Sequence, residues 1–342
     1  MRFLVPIGLA LAACAKPSPP PGFNDRVVSE SVRSGGVRSR LAVGDGADLV
    51  ILYGGEQEGI LGTCGCDSRP LGSMARVDGY RRRLQRADPE VPLILLNTGA
   101  WLDNTIGYSV DLRADAKVAN VAMTKALELG HWDVLNASFR DMPWFRETEI
   151  PDTVVSANIR PVEEGAGPAP YIVVEAGAVR VAVTGISTDG MVHIQPETHR
   201  TGDPVSSLEA LLPQMHDDAD LVVVLGYHLG SLATKVAKLD VDVLIDADMF
   251  KEQHEPLVKH DTLWIRSRWR TQRLGELRLF LEDGVISGAR DRMIDLDDRI
   301  PATRSIQRLE REVKVERDRL LEGLYGARPR DDQRFSVANT SY

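Results

Sequence analysis

Two kinds of apolar pattern alternate along this chain. Unbroken apolar runs predict strands that are buried on both faces, because a strand with one solvated face alternates apolar and polar residues. The predicted strands lie at 48–53, 91–97, 154–157, 171–174, 179–185, 221–226, 241–246, 262–266 and 274–281, and several of them are such runs. Other segments repeat apolar residues every three or four positions, as the buried face of a helix does. They lie at 71–87, 112–129, 229–239 and 302–324.

The order of these segments predicts the fold class. Strands that alternate with helices are typical of a layered α/β fold. A turn at Asp283-Gly284, between two late strands, adds an antiparallel hairpin. The helix at 302–324 carries too few apolar residues at heptad spacing for a coiled coil, so we expect it to dock on the domain.

The first residues have the pattern of an export signal. A Met-Arg start is followed by an apolar run at 3–13, and the Leu-Ala-Ala-Cys sequence that ends at Cys14 resembles a bacterial lipoprotein processing site. The apolar run is too short to cross a bilayer. We therefore expect Cys14 to be the lipidated first residue of the mature protein. Its lipid would anchor the protein to a membrane of the bacterial cell envelope, facing the periplasm or the exterior.

Composition divides the rest of the chain. Four prolines between residues 16 and 22, followed by a stretch rich in Ser, Arg and Gly, predict a linker over 14–46. The alternating strands and helices predict one domain over 47–298. We expect 299–342 to form a C-terminal helix and a polar tail.

Charge narrows the choice of partners. The chain is 43% apolar and 27% charged, and its net charge of −9 disfavours nucleic acid or an anionic membrane face as a partner. One basic cluster departs from that average, and it consists of Arg266, Arg268, Arg270 and Arg273. We expect nearby carboxylates to pair with these arginines along a solvated strand edge.

Two of the three cysteines are separated by one residue, as Cys64-Gly65-Cys66. Once Cys14 is acylated they are the only free thiols, in a compartment where disulfides persist. A disulfide between such close residues is strained and easily reduced, and Gly65 permits the unusual backbone that it needs. Three interpretations stay open: a redox pair, a static disulfide or buried thiols, and soft ligands that bind Cu(I) or Zn(II) together with His228.

Six short segments occur in the order seen in a known family. They are IL at 51–52, LGSMAR at 71–76, LLNTG at 95–99, SANI at 156–159, VAVTGI at 181–186 and VLGYHLG at 224–230. In this order they resemble the catalytic domain of the periplasmic 5′-nucleotidases, which are calcineurin-like metallophosphoesterases. The resemblance implies a four-layer α/β/β/α sandwich with its site at the strand ends, and the family's separate substrate-binding domain has no counterpart here.

The same alignment indicates which metal ligands are missing. A two-metal phosphoesterase holds its cations between carboxylate, imidazole and amide ligands. The family's opening Asp-x-His falls on Glu56-Gln57-Glu58, its bridging Asp on Ala100, its Gly-Asn-His-Glu on 138–141 and its final Gly-His-x-His on 247–250. Only His228 keeps a family ligand in place. The resemblance therefore leaves Glu56, Glu58 and His228 as candidate ligands of a single divalent cation.

The cysteine pair resembles a narrower branch of the same family. The sequence GTCGC at 62–66, followed by PLGSMAR at 70–76, is similar to the UshA-like (seleno)protein family. In that branch selenocysteine can replace one cysteine, and an Arg-Asp pair like Arg140-Asp141 replaces the His-Glu of the phosphoesterases. The branch implies redox chemistry at Cys64 and Cys66. The chain has no Cys-x-x-Cys-His, so no c-type haem is expected.

The leading hypothesis is a lipid-anchored envelope protein with a degenerate 5′-nucleotidase-like fold. Cys64 and Cys66 exchange disulfides with a redox partner protein. Four residues at the same rim tune the thiol pKa or handle protons: Glu58, Arg140, Asp141 and His228. One alternative is a metal-dependent phosphoesterase with a rearranged metal site. The other is a binding or scaffold lipoprotein without chemistry.

Overall fold

The computed structural model describes residues 27–32, 43–63, 70–103, 113–145, 148–162, 167–188, 199–247 and 256–325. The described strands are β1 (Val27–Val32), β2 (Leu49–Gly54), β3 (Leu93–Asn97), β4 (Val134–Asn136), β5 (Val154–Val155), β6 (Ile159–Pro161), β7 (Ile172–Ala176), β8 (Val179–Ser187), β9 (His199–Thr201), β10 (Leu221–Tyr227), β11 (Val243–Ala247), β12 (Leu257–Lys259), β13 (Thr262–Arg266), β14 (Arg273–Glu282) and β15 (Val285–Asp295). The described helices are α1 (Met74–Ala87), α2 (Ala114–Leu129), α3 (Met142–Phe145), α4 (Pro204–Asp218), α5 (Ala233–Val236) and α6 (Arg304–Tyr325). Cys14, Cys64 and Cys66 lie outside the described residues.

Two mixed sheets carry most of the strands. The seven-stranded sheet has the order β1-β15-β14-β2-β3-β4-β5, and the six-stranded sheet has the order β12-β13-β11-β10-β8-β7. In both, the central neighbours are parallel, while β14 and β15 form the antiparallel hairpin that the turn at Asp283-Gly284 predicts. Strands β6 and β9 pair separately.

Three apolar cores separate four layers. One core lies between the sheets and takes side chains from both, among them Ile51, Leu277, Val183 and Ile245. A second packs α1, α2 and α6 on the outer face of the seven-stranded sheet, and a third packs α4 and α5 on the outer face of the other sheet. The predicted α/β/β/α sandwich is confirmed.

Strand β2 shows why its sequence is apolar throughout. Val50 and Leu52 face the helices, whereas Leu49, Ile51 and Tyr53 face the second sheet. Successive side chains point to opposite faces of a strand, so a strand covered on both faces must be apolar at every position.

Several element boundaries differ from the sequence prediction. The first predicted helix begins at Met74 and not at residue 71, because Gly72 and Ser73 both have a left-handed backbone, with φ of 97°. The helix predicted at 229–239 is reduced to α5 and a preceding 3₁₀ turn, since Gly230 is also left-handed at φ 56°. Helix α4 was not predicted, although Asp203 caps it by accepting a 2.7 Å hydrogen bond from the Ser206 N–H.

The predicted linker 14–46 is wrong in part, because β1 lies within it. The backbone of β1 pairs in parallel with β15, from Val27 opposite Ala289 to Val32 opposite Ile294. The outer edge of β15 has N–H and carbonyl groups that need partners, and β1 supplies them from its backbone. Pairing through the backbone does not require apolar side chains. The composition of the segment therefore did not indicate a strand.

The predicted C-terminal helix is present as α6 and docks on α1 and α2. Ile306 and Val313 are buried in the same core as the residues of those helices. None of the helices in the described ranges combines the length and the apolar character that crossing a membrane requires.

Strand β15 also carries a buried carboxyl group. Burial raises the pKa of Asp291 from 3.8 to about 7, although the Tyr53 hydroxyl donates a 2.7 Å hydrogen bond to it. Between these two pH values the folded protein binds more protons than the unfolded chain, so we expect the free energy of unfolding to fall as pH rises through that window. In urea unfolding at several pH values, Asp291→Asn should make this slope smaller, while Asp141, whose pKa burial also raises, still contributes to it. The same slope in both proteins would contradict the assignment.

Candidate functional site

The carboxyl ends of the parallel strands in both sheets meet at one edge of the molecule. Asn136, the last residue of β4, joins the two sheets there. Its side-chain amide donates to the carbonyl oxygens of Thr98 at 2.9 Å, Ile186 at 3.3 Å and Leu225 at 3.1 Å. Ligands of open α/β sheets bind at the carboxyl ends of the strands, so the loops at this edge form the candidate site.

The loops that follow β2, β3 and β13 are tied together by backbone hydrogen bonds. The Glu56 N–H donates to Gly99 at 2.8 Å, and the Glu58 N–H donates to Ala100 at 3.0 Å. The Arg270 N–H donates to Glu56 at 3.1 Å. Sequence positions more than 200 apart therefore lie side by side.

A left-handed backbone is unusually frequent at this edge. Five residues other than glycine have a positive φ close to 55° here: Glu56 (56°), Glu58 (51°), Ala100 (53°), His228 (54°) and Arg270 (53°). Each such residue costs on the order of 1 kcal/mol, and such costs concentrate where a fold holds side chains for function.

Glu58 is held between two arginines. Its Oε1 lies 2.9 Å from Arg140 Nη1, and its Oε2 lies 3.3 Å from Arg270 Nη2. The three side chains are partly exposed, at 15% for Glu58, 24% for Arg140 and 29% for Arg270. The Arg140–Glu58–Arg270 cluster therefore lies at the surface of the strand-end site and is accessible to a solute.

Glu56 and His228 form a second and deeper contact. Glu56 is 1% exposed, and its Oε1 lies 4.0 Å from His228 Nε2. The imidazole packs against the Tyr227 ring, with 4.5 Å between the ring centroids. Of the three predicted metal ligands, these two are neighbours, whereas the Glu58 carboxylate is engaged by arginines.

Apolar side chains stand at two positions where the family resemblance implies metal ligands, Ala100 and Phe139. Ala100, Tyr227 and Ala247 are buried together, with Phe139 packed against them. The Phe139 and Tyr227 rings are 5.6 Å apart between centroids. Burial, the largest effect, raises the pKa of the Tyr227 phenol, so that group stays protonated at neutral pH.

These residues do not fit the two-metal centre that the fold implies. Neither Ala100 nor Phe139 offers a donor atom, and Arg140 brings a positive charge to the place where cations would bind. Across the part of the chain that the structure describes, no three His, Cys, Asp or Glu side chains converge as a metal-binding group. Asp248 and both paired cysteines lie outside that part.

Asp141 is a fully buried carboxylate that positions two loops. Its Oδ2 accepts hydrogen bonds from the N–H groups of Ala100 and Ser138, both at 3.0 Å, and from the Ser138 hydroxyl at 2.6 Å. Its Oδ1 accepts from the Leu102 N–H at 3.0 Å. Burial raises the pKa of Asp141 to about 6, against the opposing effect of these donors. With these four contacts all internal, Asp141 supports the loop that presents Arg140.

The ends of the segment that holds the cysteines are well defined. Thr63 and Gly72 form an antiparallel bridge, so the residues on either side of this segment lie next to each other. The Arg76 guanidinium fixes that point by donating to the carbonyl oxygens of Pro70 and Leu296, both at 2.9 Å. A Cβ atom built on Gly72 would lie 3.6 Å from the Arg270 carbonyl oxygen. Gly72, which follows the cysteine segment, therefore lies near the backbone of Arg270, whose side chain belongs to the Arg140–Glu58–Arg270 cluster.

The basic cluster of the sequence is largely paired with acids, as expected, but the expected solvated strand edge is wrong for Arg266, which is buried in β13 between β12 and β11. Arg266 lies 3.5 Å from Asp246, and Arg273 lies 2.6 Å from Asp295. Arg270 differs from them, because it reaches into the strand-end site. Sequence reasoning did not single it out, since one arginine among four gives no local signal.

Solved structures of other proteins share this architecture. The sulfate thiohydrolase SoxB of Thermus thermophilus superposes with a TM-score of 0.66 at 14% identity, over 79% of this chain and 61% of that one. A 5′-nucleotidase precursor, also of Thermus thermophilus, gives 0.61 at 18%, over 81% and 59%. The NAD nucleotidase of Haemophilus influenzae gives 0.63 at 13%, over 79% and 60%. The chain has the metallophosphoesterase fold.

These comparisons concern the fold, and the chain spans about three fifths of the length of the three proteins. No family model matches it, and no curated protein matches it significantly. The predicted 5′-nucleotidase-like metallophosphoesterase fold is confirmed, while the Cys-Gly-Cys branch stays a prediction.

Proposed function

We propose that Cys64 and Cys66 exchange between dithiol and disulfide in a lipid-anchored envelope protein whose metallophosphoesterase fold has lost its two-metal centre. The observation that carries the proposal is the position of Arg270. Its guanidinium pairs with Glu58, and its carbonyl oxygen lies against Gly72, where the cysteine segment ends. We propose that the cysteine segment brings a thiol to this guanidinium, because a cation near a thiol favours the thiolate, which is the attacking form.

The exchange needs no cofactor. One thiolate attacks a disulfide of an oxidised partner protein, which forms a mixed disulfide and releases one partner thiol. The second cysteine attacks the mixed disulfide, which closes the Cys64–Cys66 bond and releases the other partner thiol. Two electrons pass to the partner, and the two protons lost by the cysteines are taken up by its thiols. A reducing dithiol reverses the reaction.

Differential alkylation tests this proposal. Purified protein is equilibrated in glutathione buffers of graded potential and alkylated, and the peptide with Cys64 and Cys66 is quantified by mass spectrometry. We expect both thiols to be protected together under mild oxidation and released together by dithiothreitol. In Cys64→Ser, used as the control, Cys66 should stay alkylatable at potentials that protect the pair. Thiols that react in every buffer would refute the proposal.

Metal-dependent hydrolysis is the second candidate, and one specific contact favours it. Glu56 and His228 are neighbours at the strand ends, where the fold places its metals, and they can contribute to a rearranged site. Turnover of p-nitrophenyl phosphate, measured with and without Mn²⁺, separates the two functions. We expect none above the blank for the thiol protein. Metal-dependent turnover that is lost in both Glu56→Gln and His228→Ala would establish the hydrolase instead.

A further inference from the structure

We propose that Arg140 and Arg270 form a metal-independent binding site for a tetrahedral oxoanion, phosphate or sulfate, either free or as a monoester. In the free protein the Glu58 carboxylate binds both arginines, and the oxoanion displaces this carboxylate when it binds. The inference goes beyond the thiol function and does not depend on it. Its support comes from the geometry of the three side chains and from their place in the fold.

The two guanidinium groups converge on one small volume. Arg140 comes from the loop after β4 and Arg270 from the turn after β13, and each binds a different oxygen of the same carboxylate, at 2.9 and 3.3 Å. The planar guanidinium fits the oxygens of a carboxylate and of a phosphate equally well, and it cannot lose its charge. Two such groups around one anion are a donor set for an oxoanion.

Contacts other than those with Glu58 hold the Arg270 side chain and the backbone loop that carries Arg140. The Arg270 guanidinium stacks on the Trp269 ring, 4.1 Å from its centroid. Arg140 is next to Asp141, whose four hydrogen bonds fix the loop, and next to Phe139, which packs on Tyr227. Loss of the carboxylate therefore leaves a preformed cationic site.

Glu58 is the replaceable member of the cluster. Its carboxylate is partly exposed, and its hydrogen bonds with Arg270 are long, at 3.3 and 3.4 Å. A phosphate dianion carries twice the charge of a carboxylate and has more oxygens to share between the two arginines. Binding then requires only that the Glu58 side chain rotate toward solvent.

The surroundings agree with a binding role. The cluster lies at the carboxyl ends of parallel strands, and both Glu58 and Arg270 have the left-handed backbone that is unfavourable for such residues. An ion pair that served stability alone would not require that backbone at two of its members. The unfavourable backbone conformation of these two residues is consistent with a preorganised ligand-binding site.

Isothermal titration calorimetry with inorganic phosphate, sulfate and phenyl phosphate in EDTA tests the proposal. We expect wild-type protein to bind at least one of the three, and Glu58→Ala to bind it about tenfold more tightly because the competitor is gone. Arg140→Met and Arg270→Met should each weaken binding by at least about tenfold. Circular dichroism melts of all variants verify that they are folded.

The exposed ion pair of Glu316 and Arg319 on α6 provides matched controls. Glu316→Ala and Arg319→Met change the same charges without touching the site, and they should leave the affinity unchanged. No binding to either wild type or Glu58→Ala would overturn the proposal, as would binding that needs a divalent metal. The alkylation experiment measures the reactivity of Cys64 and Cys66, whereas calorimetry measures oxoanion binding. Failure of one proposal therefore does not refute the other.

Discussion

Asp141→Ala is expected to destabilise the protein by about 4 kcal/mol and to disorder the Arg140 loop. The substitution removes the acceptor of four hydrogen bonds, so the buried N–H groups of Leu102 and Ser138 lose their side-chain acceptor, while the Ala100 N–H keeps the Ser138 hydroxyl at 3.0 Å. Each buried donor without a partner costs about 1–3 kcal/mol. Urea unfolding monitored by tryptophan fluorescence measures the change.

Asp141→Asn is the control for this prediction. Asparagine has the same size and keeps the oxygen that accepts from Ala100 and Ser138. Its NH₂ group faces the Leu102 N–H, and since both are donors that one hydrogen bond is lost. We expect a loss of about 1–2 kcal/mol, smaller than that of the alanine variant. If both variants were as stable as wild type, Asp141 would not support these loops and its proposed positioning role would be wrong.

Gly79→Ala is expected to lower stability by about 2–3 kcal/mol, although alanine is the better helix former. Gly79 lies in α1, where a methyl group would overlap the carbonyl oxygen of Pro301. That oxygen belongs to the backbone just before α6 and cannot rotate away. The overlap should push α6 off α1, so the thermal midpoint falls and proteolysis near residue 301 becomes faster.

Gly323→Ala makes the same substitution in a helix where space is free. No atom lies within 4 Å of a Cβ built on Gly323, and the residue is exposed on α6. Helix propensity then acts alone and predicts a gain of roughly 0.5–1 kcal/mol. Changes of the same sign at both glycines would show that α6 does not dock as described.

Most of the long strands could be predicted from the sequence, because a strand that is buried on both faces is apolar at most of its positions. The runs that became β2 and β10 contain no charged residue, and those that became β8 and β11 contain one each, a pattern typical of a sheet that is covered on both sides. The short strands β4 and β12 and the helix α4 were missed. Three-residue strands carry too few positions to show a period, and a proline at position 213 interrupts the periodicity of α4.

The site was predicted in part. The alignment of short segments brought Glu56, Glu58, Arg140, Asp141 and His228 to one edge, and the structure places all five at the strand ends. Their pairing did not follow from the alignment. Glu58 was expected beside His228 on a cation, but it binds Arg140 and Arg270, because a carboxylate is drawn to the nearest positive charge and two arginines reach it.

Arg270 and Asn136 show what local sequence cannot supply. Asn136 binds three carbonyl oxygens from separate segments, and Arg270 meets Glu58 across 212 positions of the chain. Neither contact has a periodic signature, since periodicity reports only which side of an element is buried.

The amino-acid sequence by itself determined the layered α/β class and the positions of the long strands, because burial of a residue's side chain leaves a local pattern in the sequence. Tertiary structure alone decided that two arginines and a glutamate meet where cations would otherwise bind, and that Gly72, which follows the cysteine segment, lies near the backbone of Arg270. Those contacts depend on how two sheets pack, and a packing contact joins residues whose separation along the chain carries no information about their distance in space.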